Sequence, residues 1–214
     1  MRVILGSTSP RRRELLGGLF DDFEVMAPDA DEAALPGEKP EAYAARVAAD
    51  KMRSLAPRVE AAADDALVIA CDTIVTIDGA IIGKPSGPDE ALAILGRLSG
   101  RTHRVISALS VGLRRAGGRL EFATGLESSA ITFRPLGRPE LEEYLGRIEY
   151  MDKAGAYAAQ EYGAMIIERI DGSVSNVIGF PLRLFYKMLV EAGAGALLYS
   201  HHGPLRAEDG AAVP

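Results

Sequence analysis

Cysteine and lysine are scarce in this chain of 214 residues, which has one cysteine, Cys71, and five lysines beside 19 arginines. A single cysteine excludes an intramolecular disulfide and is typical of a reducing compartment. Long apolar runs are missing as well, since no stretch approaches the roughly 18–20 residues that a membrane-spanning helix needs. The first residues turn polar after Leu5, unlike a signal peptide. We therefore expect a cytoplasmic protein with no membrane partner.

Several well-known catalytic motifs are missing too. The sequence contains no G-x-S-x-G elbow, no Walker A loop and no G-x-G-x-x-G between a strand and a helix. Its three histidines, His103, His201 and His202, lack the spacing of a zinc site. These absences argue against a serine hydrolase, a P-loop NTPase and a dinucleotide oxidoreductase. The formal net charge of −6 argues against a nucleic-acid partner, because nucleic-acid-binding domains are usually basic.

The remaining composition, 48% hydrophobic and 25% charged, is that of a globular protein with one large domain or two lobes that share a sheet. Strand-like and helix-like segments alternate, and Asp78-Gly79 favours a hairpin turn. The pattern predicts an α/β fold with a mixed, not purely parallel, sheet. Residues 1–192 form the predicted domain, and the Ala- and Gly-rich residues 193–214 are expected to be a flexible tail.

The first candidate site is the segment S-T-S-P-R-R-R at 7–13. Ser9 is a suitable N-cap and Pro10 a suitable first helical residue, which places three arginines in the first turn. The helix dipole opposes cations there, by roughly a few tenths to 1 kcal/mol each. A bound phosphate would reverse that effect, because backbone N–H groups, hydroxyls and guanidinium groups would converge on it. The alternative is a capped helix with solvated arginines.

Asp72 interrupts the apolar residues 67–77, which are predicted as two strands, 67–71 and 74–77. A buried, unpaired carboxylate is very unfavourable, so Asp72 needs a cation, a metal or several hydrogen-bond donors. It is a candidate general base or Mg²⁺ ligand, or else a strand-end residue that accepts backbone hydrogen bonds. Lys51 lies on the apolar stripe of the predicted helix 40–55. Either its stem packs there while the ammonium reaches solvent, or the ammonium enters a cleft.

Weaker signals come from three loops. Glycine before Lys84 and proline after it suit a close approach to a ligand, although a lysine on a surface loop is the commoner explanation of such a motif. The adjacent acids Asp31 and Glu32 could bind a metal or could be solvated. Between 152 and 160, small residues surround Lys153 and Gln160, and a glutamine amide can both donate to and accept from the edge of a base.

Taken in order, these motifs resemble the Maf family of nucleoside triphosphate pyrophosphatases, from residue 7 to about residue 189. The resemblance is carried by S-x-S-P-R-R at 7–12, D-E at 31–32, Arg46 with Lys51, C-D-T at 71–73, G-K-P at 83–85, L-S-G-x-T-H at 98–103, D-K-A-G-x-Y-A-A-Q at 152–160 and G-x-P-L at 179–182. It implies a two-lobed α/β fold akin to inosine triphosphate pyrophosphatases, with a nucleotide cleft between the lobes. The implied reaction is hydrolysis between the α- and β-phosphates with Mg²⁺ or Mn²⁺.

The resemblance also implies roles for individual residues. Asp72 would be the proton acceptor that activates water, and Glu32 would hold the metal together with Asp72. The residues implied to bind the substrate are Ser7, Arg11, Arg12, Lys51, Thr73, Lys84, Lys153 and Gln160.

Within the family, Arg11, Thr73 and Gln160 match the members that take dTTP and UTP. The sequence departs from the usual pattern at Glu161, where glycine is frequent, and at Phe180, where leucine is frequent. Two alternatives stay open: a 7-methyl-GTP pyrophosphatase, and a nucleotide-binding regulator of cell division without turnover. A homodimer is suggested only by analogy.

Overall fold

The computed structural model describes residues 1–198, which fold around one seven-stranded sheet. The strands are β1 (Arg2–Gly6), β2 (Glu24–Val25), β3 (Ala66–Ile77), β4 (Ala80–Ile82), β5 (Thr102–Arg114), β6 (Leu120–Phe133) and β7 (Ile167–Asp171). The helices are α1 (Pro10–Gly17), α2 (Pro40–Glu60), α3 (Pro88–Leu98), α4 (Arg138–Leu145), α5 (Val174–Ile178) and α6 (Leu182–Glu191). Short 3₁₀ turns cover Ala154–Ala156, Gly163–Met165 and Gly195–Leu198. None of the helices within residues 1–198 is long and apolar enough to cross a bilayer.

The sheet is mixed, which confirms the predicted α/β class. Its strand order is β2-β1-β3-β5-β6-β7, with β4 paired to β3. β1 runs parallel to β2 and β3, whereas β3, β5, β6 and β7 pair antiparallel. At the β3–β4 turn, Asp78 and Gly79 both have positive φ, 55° and 75°, as a type I′ hairpin requires.

Separate hydrophobic clusters give the molecule two lobes. In the first lobe, α1 and α6 cover one face of the sheet around Leu5 and Ile69, and α2 covers the other face through Leu55. In the second lobe, α3 and α4 pack on the far ends of β3, β5 and β6 around Leu95 and Phe133. The long strands β3 and β5 pass through both lobes, so residues near their middle lie between the two cores.

Two of the predicted elements differ from the structure. β3 is continuous from Ala66 to Ile77, because the Asp72 backbone keeps its place opposite Ala108 of β5. Asp72 is therefore in the middle of a strand and not at a strand end. The helix predicted to end at residue 55 continues to Glu60.

The end of the chain is described only as far as residue 198. Ala194 is buried, and Leu197 and Leu198 pack against the core of the first lobe. Residues 199–214, which include His201 and His202, lie outside the described part of the chain. The predicted flexible tail stays a prediction.

Candidate active site

A cavity of about 380 Å³ opens between the two lobes. Its size is within the range of small-molecule sites, roughly 300–1,000 Å³. All ten side chains named from the sequence as catalytic, substrate-binding or metal-binding line it: Ser7, Arg11, Arg12, Glu32, Lys51, Asp72, Thr73, Lys84, Lys153 and Gln160. Residues from six separate parts of the chain thus share one cavity.

The start of α1 forms one side of the cavity. Ser9 is the N-cap residue and Pro10 opens the helix, as predicted, but the Ser9 hydroxyl makes no capping hydrogen bond. Instead, the Ser7 hydroxyl accepts from the Ser9 N–H at 3.2 Å and from Arg12 at 3.1 Å. No acidic residue lies in the first turn, so within α1 no carboxylate offsets the positive end of the helix or the two arginines, Arg11 and Arg12, that line the cavity.

Arg12 is anchored by three different elements. Its Nε donates to the Gly179 carbonyl at 3.0 Å, one terminal nitrogen donates to Ser7, and the other donates to the Thr73 hydroxyl at 3.1 Å. Thr73 also donates to the Gly179 carbonyl and bonds Ser107 at 2.9 Å. A guanidinium group has five N–H donors, so about two remain for a ligand. Gly179 belongs to the G-x-P-L motif at 179–182, but the motif did not predict that its main-chain carbonyl holds Arg12.

A buried charge cluster lies at the centre of the cavity. Lys51 is 7% exposed and Asp72 is 5% exposed, and the Lys51 ammonium donates to Asp72 Oδ1 at 2.7 Å. The same ammonium lies 2.8 Å from Oε1 of Glu32, whose side chain is half exposed. The alternative of a solvent-directed Lys51 is therefore wrong, because its ammonium reaches the cleft. Removal of either buried partner would leave an uncompensated charge, which typically costs about 3–5 kcal/mol.

The second oxygen of Asp72 has no hydrogen-bond partner within residues 1–198, although it is buried. Buried polar atoms in proteins nearly always have a partner, so this oxygen marks a place for a ligand. The described residues hold no group of three or more His, Cys, Asp or Glu side chains arranged for a metal. Two carboxylates, Asp72 and Glu32, still fit Mg²⁺, which is usually bound by one or two carboxylates together with substrate phosphates and waters. Asp31 points elsewhere, with its carboxylate on the Ala33 N–H.

Cations from both lobes meet at Asp152. Arg11 of the first lobe donates to one carboxylate oxygen at 3.0 Å, and Lys153 donates to the other at 2.9 Å. Burial raises the pKa of Asp152, but the hydrogen bond from Lys153 and the charge of Arg11 outweigh it and hold the pKa below its usual value. Asp152 is the first residue of the motif at 152–160, but the sequence did not predict that it pairs with two cations. Lys84 is exposed and has no ion pair among the described residues, so its charge is available to a ligand.

Residues 153–160 form the second-lobe wall of the cavity, and we call them the 153–160 wall. Gly155 and Ala156 both have positive φ, 75° and 57°, which turns the chain sharply. A Cβ on Gly155 would lie 3.0 Å from Val75, so the close packing favours glycine there. Beyond the turn, the Tyr157 ring is buried and its hydroxyl bonds His103 Nε2 at 2.9 Å. The Gln160 side chain makes no hydrogen bond within the described residues and lines the cavity.

The fold and the cavity define a class: an α/β protein with a cationic cleft around a buried carboxylate, suited to a polyanionic ligand. Residues 2–192 match the family described as Maf-like protein, and the chain belongs to this family.

Two relatives with assigned names cover most of the chain. A dTTP/UTP pyrophosphatase from Methylococcus capsulatus is 44% identical over 198 residues, which is 91% of this chain and 93% of that protein. A dTTP/UTP pyrophosphatase from Burkholderia pseudomallei is 46% identical over 187 residues, 84% of this chain and 88% of that protein. Among solved structures, the Staphylococcus aureus Ham1 protein is 14% identical to this chain, with a TM-score of 0.40. The match covers 90% of this chain and 100% of that chain, and the likeness is distant.

Proposed function

We propose that this protein hydrolyses dTTP and UTP to the nucleoside monophosphate and pyrophosphate. The observation that carries the proposal is the buried Asp72 carboxylate in a cavity lined by arginine and lysine. One of its oxygens bonds Lys51, and the other has no partner in the described part of the chain. The relatives named dTTP/UTP pyrophosphatase support the choice of substrate.

In this proposal, Asp72 is the general base. Its free oxygen takes a proton from a water molecule while the water oxygen bonds to the α-phosphorus, and the bond from that phosphorus to the bridging oxygen of pyrophosphate breaks. The Lys51 ammonium at 2.7 Å orients the carboxylate and stabilises its negative charge. A general base typically contributes about 10²–10⁴-fold to a rate.

The negative charge of the triphosphate is met from both lobes. Within residues 1–198, Arg12 keeps free N–H donors beside the Ser7 hydroxyl, and the Lys84 ammonium has no ion pair. Arg11 and Lys153 both donate to Asp152. In the complex, phosphate oxygens would compete with this carboxylate for the two cations. Donors fixed before the reaction stabilise charge that develops on the leaving pyrophosphate without reorganising.

A divalent metal, Mg²⁺ or Mn²⁺, belongs to the proposal. Asp72 and Glu32 would hold it, since both carboxylates line the cavity and Asp72 Oδ2 has no partner within residues 1–198. When bound, the metal would neutralise phosphate oxygens and favour departure of pyrophosphate.

For the base, we propose that Gln160 reads the carbonyl at position 4 and N3–H of uracil or thymine, in a cavity that Thr73 and Arg11 also line. The Gln160 amide offers one acceptor and one donor group, which matches this edge of the base. Cytosine presents the reverse arrangement at the same two positions, so it should be a poorer substrate.

The test is a nucleotide panel that contains dTTP, UTP, CTP, dGTP and 7-methyl-GTP with Mg²⁺, scored for pyrophosphate and for orthophosphate. We expect pyrophosphate from dTTP and UTP, and a drop in kcat of about 10²–10⁴-fold for Asp72→Asn. Asp89→Asn on the exposed start of α3 is the matched control and should keep full activity. Preference for 7-methyl-GTP, nucleotide binding without turnover, or an active Asp72→Asn variant would each contradict the proposal.

The proposal extends to a cytoplasmic location and a homodimer, with no nucleic-acid partner. The single cysteine, Cys71, is buried and reduced, in keeping with a reducing compartment. Sedimentation of the purified protein would measure its oligomeric state directly.

A further inference from the structure

The main chain of Ala158 lies in the middle of the 153–160 wall and is held by a single side chain. Ala158 is 4% exposed, so its N–H and C=O are shielded from water. The Tyr144 hydroxyl accepts from the Ala158 N–H at 3.1 Å and donates to the Ala158 C=O at 3.3 Å. A tyrosine hydroxyl has one donor and two acceptor sites, so it can serve both groups at once.

Tyr144 is itself fixed. It lies on α4, is 0% exposed and packs in the core of the second lobe. Burial raises its pKa to about 12, so the hydroxyl stays protonated and able to donate at neutral pH. Gly163 packs directly against the Ala158 carbonyl, because a Cβ added to this glycine would lie only 2.5 Å from the carbonyl oxygen. The main chain at Ala158 is therefore confined between α4 and the turn at Gly163.

The hydrogen bonds between Tyr144 and Ala158 lie close to Gln160, the residue proposed above to read the base. Gln160 follows Ala158 by two residues, and its carbonyl accepts from the Gly163 N–H at 3.0 Å. The Gln160 main chain is thus anchored on both sides, by Tyr144 before it and by Gly163 after it. Its amide side chain has no hydrogen bond of its own within residues 1–198, so its direction depends on this backbone.

We propose that Tyr144, which does not line the cavity, is a positioning residue whose hydroxyl sets the main chain of residues 158–160 and through it the discrimination of uracil from cytosine. The part on discrimination rests on the proposed function, whereas the part on the backbone does not. Tyr144 gave no signal in the sequence beyond that of a core aromatic residue on a helix.

The experiment compares Tyr144→Phe with two controls, by amide hydrogen exchange without ligand and by kinetics with UTP and CTP. Tyr150→Phe removes a hydroxyl that has no partner among the described residues of the same lobe. Leu95→Ala destabilises the same hydrophobic core, which includes Tyr144, without removing a hydrogen bond to the wall. For Tyr144→Phe we expect faster exchange at Ala158 and Gln160, a KM for UTP raised about tenfold with kcat within about twofold, and a UTP-to-CTP ratio of kcat/KM lowered at least about fivefold.

Each result has one meaning. Unchanged exchange at Ala158 in Tyr144→Phe, or equal acceleration in Leu95→Ala, overturns the positioning role. Faster exchange with an unaltered UTP-to-CTP ratio overturns the effect on discrimination. If the unmodified protein hydrolyses neither nucleotide, the proposed function fails, and the exchange data still decide whether Tyr144 holds the wall.

Discussion

At the scale of single residues, Glu161 has an unusual backbone. Its φ is +57°, and it is the second residue of a turn that the Gly163 N–H closes on the Gln160 carbonyl. An L-residue in this left-handed region costs roughly 1–2 kcal/mol, and glycine avoids that cost. The backbone at this position therefore favours glycine over glutamate.

Glu161→Gly should raise the free energy of unfolding by a few tenths to about 1 kcal/mol, because relief of the left-handed strain exceeds the added freedom of the unfolded chain. Chemical denaturation at neutral pH would measure it. Glu168→Gly on β7, where φ is negative, is the control and should lose about 0.5–1 kcal/mol. Loss of stability in both variants would show that Glu161 is not strained.

At the scale of elements, the junction between β7 and α5 connects the sheet to the cavity. Gly172 has φ +135°, and a Cβ there would lie 2.5 Å from Ser129 Oγ and 2.9 Å from Ser129 Cα. Ser129 in turn bonds the Ser173 N–H and the Asn176 amide. The short α5 is followed by Gly179, whose carbonyl accepts a hydrogen bond from Arg12. A displacement of the main chain at Gly172 would therefore shift α5 and, with it, the acceptor that positions Arg12 in the cavity.

Gly172→Ala should lower the free energy of unfolding by about 2–4 kcal/mol, from the clash with β6 and from the positive φ together. Gly117→Ala is the matched control, since its φ is +74° and nothing lies within 4 Å of an added Cβ. It should lose only about 1 kcal/mol. Urea unfolding of both variants makes the comparison, and equal losses would mean that the contact with Ser129 does not matter.

At the scale of the whole molecule, His103 ties stability to pH. It lies on β5, is 1% exposed and packs edge-on against Phe133 and Tyr157. Burial lowers its pKa to about 4, from an ordinary value of 6.5. Above pH 6.5 the imidazole is neutral in both folded and unfolded chains and contributes no pH dependence. As the pH falls from 6.5 toward 4, the unfolded chain takes up a proton that the folded chain does not, so stability falls.

We expect the unmodified protein to lose up to about 3 kcal/mol across this window because of His103, beyond what its carboxylates contribute. His103→Gln should show a flatter dependence of unfolding free energy on pH between 6.5 and 4.5, although it starts from a lower value. Denaturation curves at four or five pH values would measure both slopes. Parallel curves would mean that the imidazole is protonated in the folded state.

Much of the local structure followed from the sequence alone. The Asp78-Gly79 pair was enough to predict a type I′ hairpin, because only a few residues accept its positive φ values. The serine, proline and arginines at 7–12 predicted a helix start that favours anions, since their chemistry is confined to one turn. Asp72 within an apolar stretch indicated a carboxylate that needs a partner.

The partners themselves were decided only by the tertiary structure. Lys51 and Asp72 are on a helix and a strand that pack together, Arg11 meets Asp152 across the cavity, and the Tyr144 hydroxyl reaches the Ala158 main chain. Spacing along the chain does not encode such contacts, because they depend on how the two lobes pack on β3 and β5. The sequence determined which groups need a partner, by the cost of burying charge and by backbone preference. The packing of the lobes determined which partner each group found.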